Sequence, residues 1–125
     1  MRSSPRDERG LSESLQLAVI WPVLMLVTLG IIEGGIWLHA RNVAERAAIA
    51  AVGAASGSRG STDAARELAH DLAGSGGLSN VSVEVSRGAV EVTAVVSADS
   101  PLVLDLGLGR IRETAAGPLE RVTRP

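Results

Sequence analysis

The chain has no cysteine, no phenylalanine and no tyrosine, and every one of its 12 Lys+Arg residues is an arginine. Without cysteine there is no disulfide, no thiolate metal ligand and no cysteine nucleophile. A formal net charge of −2 does not fit the clustered basic face that nucleic-acid-binding proteins usually carry, so we expect no nucleic-acid partner. The only aromatic residues are Trp21 and Trp37, and both lie in one long apolar stretch.

That stretch covers residues 15–38, where Gln16, Thr28 and Glu33 are the only polar side chains. As a helix, these residues would extend roughly 36 Å, enough to cross a hydrocarbon core about 30 Å thick with some tilt. The alternative is a buried core helix, but the rest of the chain is too small to cover such a segment on all sides. The sequence therefore predicts a single-pass membrane protein with a lipid bilayer as its surroundings.

Four parts follow from the position of this span. Residues 1–14 are a polar leader that is too short to fold, residues 15–38 are the transmembrane helix, residues 39–56 are a helical stalk, and residues 57–125 are a small extracytoplasmic α+β domain. Arginines in the leader slightly outnumber those just after the span, which favours a cytoplasmic N-terminus. A cleavable signal peptide is the rival reading, but its apolar region is usually shorter than this one.

The stalk carries small residues at helical spacing, among them Ala44, Ala47 and Ala51. No proline or glycine interrupts it before Gly53, so we expect one continuous helix over about residues 15–55. Such an alanine stripe permits close packing against another helix or a sheet. After a glycine-rich break, a second helix is predicted from Ser61 or Thr62 to Ala73. Its apolar face comprises Ala65, Leu68, Ala69 and Leu72.

Strand patterns occupy the rest of the chain. Valines alternate with polar residues over 81–86, a turn is expected at Arg87-Gly88, and alternation resumes over 90–96. Residues 111–115 predict an edge strand, whereas proline and glycine weaken a strand over 102–108. The predicted fold class is an α+β membrane protein with one long N-terminal transmembrane-plus-stalk helix, a short second helix and a small antiparallel hairpin or sheet.

Residue types that carry catalysis are sparse. His39 and His70 have neither a zinc-binding spacing nor a carboxylate cluster beside them. Glu84 and Glu91 come from facing strands, where a solvated sheet face is a simpler reading than a catalytic pair. We expect no enzyme activity, no catalytic residue, no metal and no cofactor. A membrane-tethered enzyme that uses His70 or Glu84 is the alternative.

The span itself has features of a helix that packs on other helices. Pro22 removes a backbone donor and predicts a kink. Gly30 and Gly34 have the GxxxG spacing that lets a neighbouring helix approach closely. Glu33 is costly in lipid and is expected either to face a partner or water or to reach the interface. With Gln16, these four residues and Ala44, Ala47 and Ala51 are the predicted helix-packing residues.

Four features in order carry a resemblance to a known family: Arg9-Gly10, Pro22, Glu33-Gly34 and Arg41-Asn42-Val43. Residues 9–55 resemble the TadE-like pseudopilins of tight-adherence (Tad/Flp) pilus systems. The resemblance implies insertion in a bacterial inner membrane with the N-terminus in the cytoplasm and the C-terminal domain outside it. It also implies cleavage by a prepilin peptidase between Gly10 and Leu11.

The same resemblance implies a function and partners. The chain would be a minor pseudopilin-like subunit in assembly of a Tad/Flp-type pilus or a related secretion apparatus, in contact with other pilin-like subunits and pilus platform membrane proteins. One position departs from the family pattern, because Gln16 stands where the family has a glutamate. The alternative is a single-pass accessory or binding subunit of an unrelated cell-envelope complex.

Overall fold

The computed structural model describes residues 5–57, 60–103, 107 and 109–119. Within these ranges the elements are α1 (Pro5–Ser56), α2 (Thr62–Ser75), β1 (Ser79–Arg87), β2 (Glu91–Asp99) and β3 (Arg110–Pro118). The chain divides into two compact units, Met1–Gly34 and Gly35–Pro125. The predicted α+β class, with one long N-terminal helix, a short second helix and an antiparallel sheet, is confirmed.

In the first unit, α1 begins at Pro5 rather than near residue 15. The prediction that residues 1–14 are too short to fold is wrong for 5–14, while residues 1–4 lie outside the described part. Proline suits the first position of a helix because its missing N–H is not needed there, and a helix that already exists propagates at little cost. The helix continues through Pro22, so the kink expected there remains a prediction.

The second unit contains the last part of α1 and all of α2. Of the two caps expected from the sequence, Ser61 or Thr62, it is Ser61 that caps α2, its Oγ accepting a hydrogen bond from the amide of Ala64 at 3.4 Å. At the other end the amide of Gly76 donates to the carbonyl of Leu72 at 3.1 Å, and Gly77 follows with φ of 91°. Only glycine adopts such an angle without strain, which explains why the glycine-rich segment ends the helix.

The predicted apolar face of α2 is partly wrong. Ala65, Ala69 and Ala73 are buried, whereas Leu68 and Leu72 remain 41% and 40% exposed. Alanine lets the helix approach the sheet closely, and the leucines, which lie at the edge of the same stripe, are then left at the rim of the contact.

The three strands form an antiparallel sheet in the order β1-β2-β3. This confirms both the hairpin and the third strand, which is longer than the predicted 111–115. The turn is one residue longer than expected and comprises residues 88–90, with the amide of Gly88 donating to the carbonyl of Glu91 at 2.8 Å. Residues 102 and 103 are not in a strand, and Leu104, Leu106 and Leu108 lie outside the described residues.

The core lies between α1, α2 and one face of the sheet. Alternate residues of β2 are completely buried, namely Val92, Ala94, Val96 and Ala98. The alanine stripe of α1 is also completely buried and comprises Ala44, Ala47, Ala48, Ala51 and Ala55. A Cβ atom on Gly117 would lie 2.8 Å from Val52 Cγ1, and one on Gly76 would clash with Val43. Helix α1 therefore packs directly on β3 and on the C-terminal end of α2.

Candidate functional site

The most extensive functional surface is the apolar part of α1 within the first unit. Its large side chains are exposed in the isolated chain, from Leu11 to Ile32. Among the described residues, one helix segment, Gly10–Ser56, is long and apolar enough to cross a membrane, and its most apolar window has no buried residue. No part of the described chain covers this surface, so lipid or other membrane helices must do so.

Two glycines leave an opening on this surface. A Cβ atom built on Gly30 or Gly34 would meet no atom of the described residues within 4 Å. Two residues before Gly30, Thr28 donates its hydroxyl to the carbonyl of Leu24 at 2.8 Å, so this hydroxyl is satisfied within the helix. Glu33, beside Gly34, is half-buried. The backbone is thus accessible at the two positions where the sequence predicted close approach by another helix.

The remaining predicted site residues fall into two groups. Gly10 and Leu11 are exposed and lie inside α1, as does exposed Gln16. Ala44, Ala47 and Ala51 instead have 0% exposure in the chain's own core. The alanine stripe therefore packs on the sheet, the second of the two partners expected for it, and offers no surface to another subunit.

A second cluster lies where α1 leaves the apolar stretch. The guanidinium carbon of Arg41 lies 4.9 Å from the ring centroid of Trp37, one helical turn away. Arg41 also donates from Nε to Glu113 Oε1 at 2.8 Å, and the two side chains are 46% and 19% exposed. Stacking on an aromatic ring and pairing with a carboxylate are both favourable for arginine, so this cluster ties α1 to β3.

Sequence analysis did not identify Glu113. It lies opposite Val96 in the sheet, and its neighbours two residues away are the buried Ile111 and the half-buried Ala115. Strict alternation along β3 therefore places a carboxylate on the core face, where it requires a counter-charge. The signal in the sequence was a charged residue at a position where the alternation of the strand calls for an inward-facing apolar residue.

A third polar cluster joins the starts of β1 and β3 to the end of β2. Asn80 Nδ2 donates to Asp99 Oδ2 at 2.8 Å, and Arg110 Nη1 lies 3.3 Å from Asp99 Oδ1 and 3.1 Å from the carbonyl oxygen of Asn80. The hydrogen bond from Asn80, aided by Arg110, lowers the pKa of Asp99 below its ordinary value of 3.8. These contacts hold the three strands together at this end.

The pKa of Asp99 gives a pH dependence. Because its pKa is lower in the folded than in the unfolded chain, the stabilisation is fully present above the unfolded value of 3.8 and is lost as the pH falls through the folded value. We expect Asp99→Asn to reduce the loss of stability between pH 7 and pH 3, measured by chemical denaturation of the full chain in detergent. Asp71→Asn, at an exposed residue of α2, should keep the parental loss; equal losses in both variants would contradict the prediction.

No carboxylate pair or metal centre is assembled in the part of the chain that the structure describes. The sheet register places Val95 opposite Glu84 and Pro118 opposite Glu91, so the facing pair considered from the sequence is not formed. His39 and His70 are both exposed. Among the same residues, no group of three or more His, Asp or Glu side chains has the arrangement of a metal site.

Comparison with known proteins gives one family. Residues 12–52 match the family model described as TadE-like protein, which confirms the resemblance seen in the sequence. The match lies within α1: it includes the apolar surface and most of the alanine stripe and ends before α2 and the sheet. Neither the curated proteins nor the solved structures gave a match.

Proposed function

We propose that this chain, whose residues 12–52 are TadE-like, is a minor pseudopilin-like subunit that takes part in assembling a Tad/Flp-type pilus or a related secretion apparatus. The TadE-like segment and the apolar helix are those of a pilus-associated single-pass membrane protein. Its work would be done by helix packing inside the bilayer. Other pilin-like subunits and the platform membrane proteins of the apparatus would be the partners.

One observation carries this proposal: the part of the chain that the structure describes leaves the apolar surface of α1 uncovered. Lipid tails are as apolar as leucine, so the hydrophobic effect does not drive helices together within a bilayer. Close van der Waals contact does, and it requires positions where two backbones can approach. Gly30 and Gly34 provide such positions, because none of the described residues fills the space beside them.

The folded second unit restricts where partners bind. Its alanine stripe is fully buried, so the intermolecular surface that we propose is limited to the span and centres on Gly30, Glu33 and Gly34. Gln16 can donate and accept hydrogen bonds but carries no charge. At the position where the family has a glutamate, it would bond to a polar group of a neighbouring helix and would not form an ion pair.

Processing and orientation belong to the same proposal. The leader would lie in the cytoplasm and the second unit outside the inner membrane, and a prepilin peptidase would cleave between Gly10 and Leu11, both of which are exposed. Mass spectrometry of the chain extracted from membranes should then show a new N-terminus at Leu11. An intact N-terminus in cells that contain the peptidase would favour the accessory subunit of an unrelated envelope complex.

The packing surface can be tested by filling the open position in the span. We expect Gly34→Leu to abolish co-purification with the pilin-like and platform proteins, because a leucine side chain separates two helices that must touch. Gly53→Leu is the matched control: Gly53 lies on the same helix, is exposed and has no described atom within 4 Å of an added Cβ, but it lies outside the span. Unchanged recovery of partners with Gly34→Leu, or equal loss with both variants, would contradict the proposal.

A further inference from the structure

Two contacts identify the end of the second unit at which Trp37 lies. Arg41 pairs with Glu113, and further along both elements Val52 meets Gly117. Helix α1 and strand β3 therefore run in the same direction, away from the apolar stretch. At the far end, Arg87 donates to the carbonyl oxygens of Gly60 and Gly57 at 3.0 and 3.3 Å. The start of β3 is thus at the same end of the second unit as Trp37, and the β1–β2 turn is at the opposite end.

The level of the β3 start follows from element geometry. Arg110 lies seven residues before Gly117 in the strand, a distance of about 23 Å at ~3.3 Å per residue. An α-helix covers the same distance in about 15 residues, so the helix position level with Arg110 is about 15 residues before Val52, at about residue 37. This count places the start of β3 level with Trp37, which occupies the position of an interfacial aromatic residue.

Strand β2 ends at this level, and just beyond it the amide of Ser100 donates a hydrogen bond to the carbonyl of Gly109 at 2.7 Å. The sequence between them, PLVLDLGLG over residues 101–109, contains a single charged residue. In the part that the structure describes, Pro101 is exposed and Val103 is 66% exposed.

We propose that Pro101, Leu102 and Val103, which follow β2, enter the headgroup–acyl boundary of the bilayer and form a second membrane contact. The occupant is lipid because these three apolar residues lie level with Trp37, and an apolar segment held at that depth meets acyl chains. This contact would fix the rotation of the sheet about α1 relative to the membrane plane. It depends on insertion of α1 and is independent of the pilus role.

The chain offers a matched pair of positions for the test. Val90 in the β1–β2 turn is 67% exposed, against 66% for Val103, but it lies at the opposite end of the sheet. Because the chain has no cysteine, Val103→Cys and Val90→Cys each give one labelling site for an environment-sensitive nitrobenzoxadiazole dye. Leu24→Cys gives the reference for a label inside the bilayer. The full-length variants are reconstituted in phosphatidylethanolamine/phosphatidylglycerol bilayers, with and without lipids that carry a shallow doxyl quencher.

We expect the label at position 103 to emit at shorter wavelength than the label at 90 and to be quenched by the doxyl lipid, while the label at 90 behaves as in water. Equal emission at 90 and 103, with no quenching at 103, would overturn the proposal. The measurement is repeated in nanodiscs that contain one chain each. A blue shift that is present in vesicles and lost in these nanodiscs would show that a second copy, not lipid, covers residues 101–103, and would also overturn it.

Discussion

Introducing two arginines near the middle of the span, Val23→Arg with Val27→Arg, should prevent stable insertion of the chain into membranes. Both valines are exposed in the isolated chain. An arginine near the bilayer centre costs about 2.5–3.5 kcal/mol on insertion scales, so the pair should cost roughly 5–7 kcal/mol. The measurement is the share of the protein that stays in the membrane pellet after alkaline carbonate extraction.

The control places the same charges on the same helix outside the span. Ile49 and Gly53 are both exposed and are also four residues apart, so Ile49→Arg with Gly53→Arg matches the test variant in spacing and in added charge. This control should remain in the pellet like the parent chain. A test variant that also resists extraction would show that residues 15–38 do not cross the bilayer.

The second large effect is expected in the core of the folded unit. Ala47 has 0% exposure and belongs to the stripe through which α1 contacts the sheet, so Ala47→Leu forces a larger side chain into a closely packed interface. Overpacking of this kind typically costs about 1–3 kcal/mol and occasionally more. Pulse proteolysis of the full chain in detergent, over a series of denaturant concentrations, gives the change in the free energy of unfolding.

Ala64→Leu makes the same substitution at an exposed position of α2. Alanine and leucine have similar helix propensities, so this control isolates the effect of packing. We expect the free energy of unfolding of Ala64→Leu to stay within about 0.5 kcal/mol of the parent value, as is usual for surface substitutions. If the two variants unfold at the same denaturant concentration, the alanine stripe is not the tight interface that the structure shows.

Much of the fold follows from patterns that repeat along the chain. Three patterns each fit only one type of element. They are the long apolar run of α1, the alanine stripe of the same helix at helical spacing, and the alternating valines of β1 and β2. These patterns identified the elements. They could not identify which partner the alanine stripe would take, because a small-residue face fits a sheet as well as another helix, and Gly117 beside Val52 decides it in favour of the sheet.

The structure differs from the sequence-based predictions where tertiary contacts determine which of several locally similar residues is buried or paired. Leu68 and Leu72 share a helical face with Ala65 and Ala69, and only the distance between α2 and the sheet determines which of them is buried. The role of Glu113 cannot be predicted from its local sequence, because its partner Arg41 lies 72 residues earlier in the chain. The predicted packing residues Gly30 and Gly34 remain a hypothesis about contacts with other proteins.

The most direct measurement uses a photo-crosslinking amino acid placed in the span of the chain in living cells. Gly34 and Ile32 are two residues apart and therefore face nearly opposite sides of α1, about 200° apart. If the span packs on other subunits through its glycines, a crosslinker at 34 should give a discrete adduct with another membrane protein, while one at 32 should react mainly with lipid. Lipid adducts at both positions, or the same protein adduct at both, would contradict the idea that this face joins the chain to its assembly.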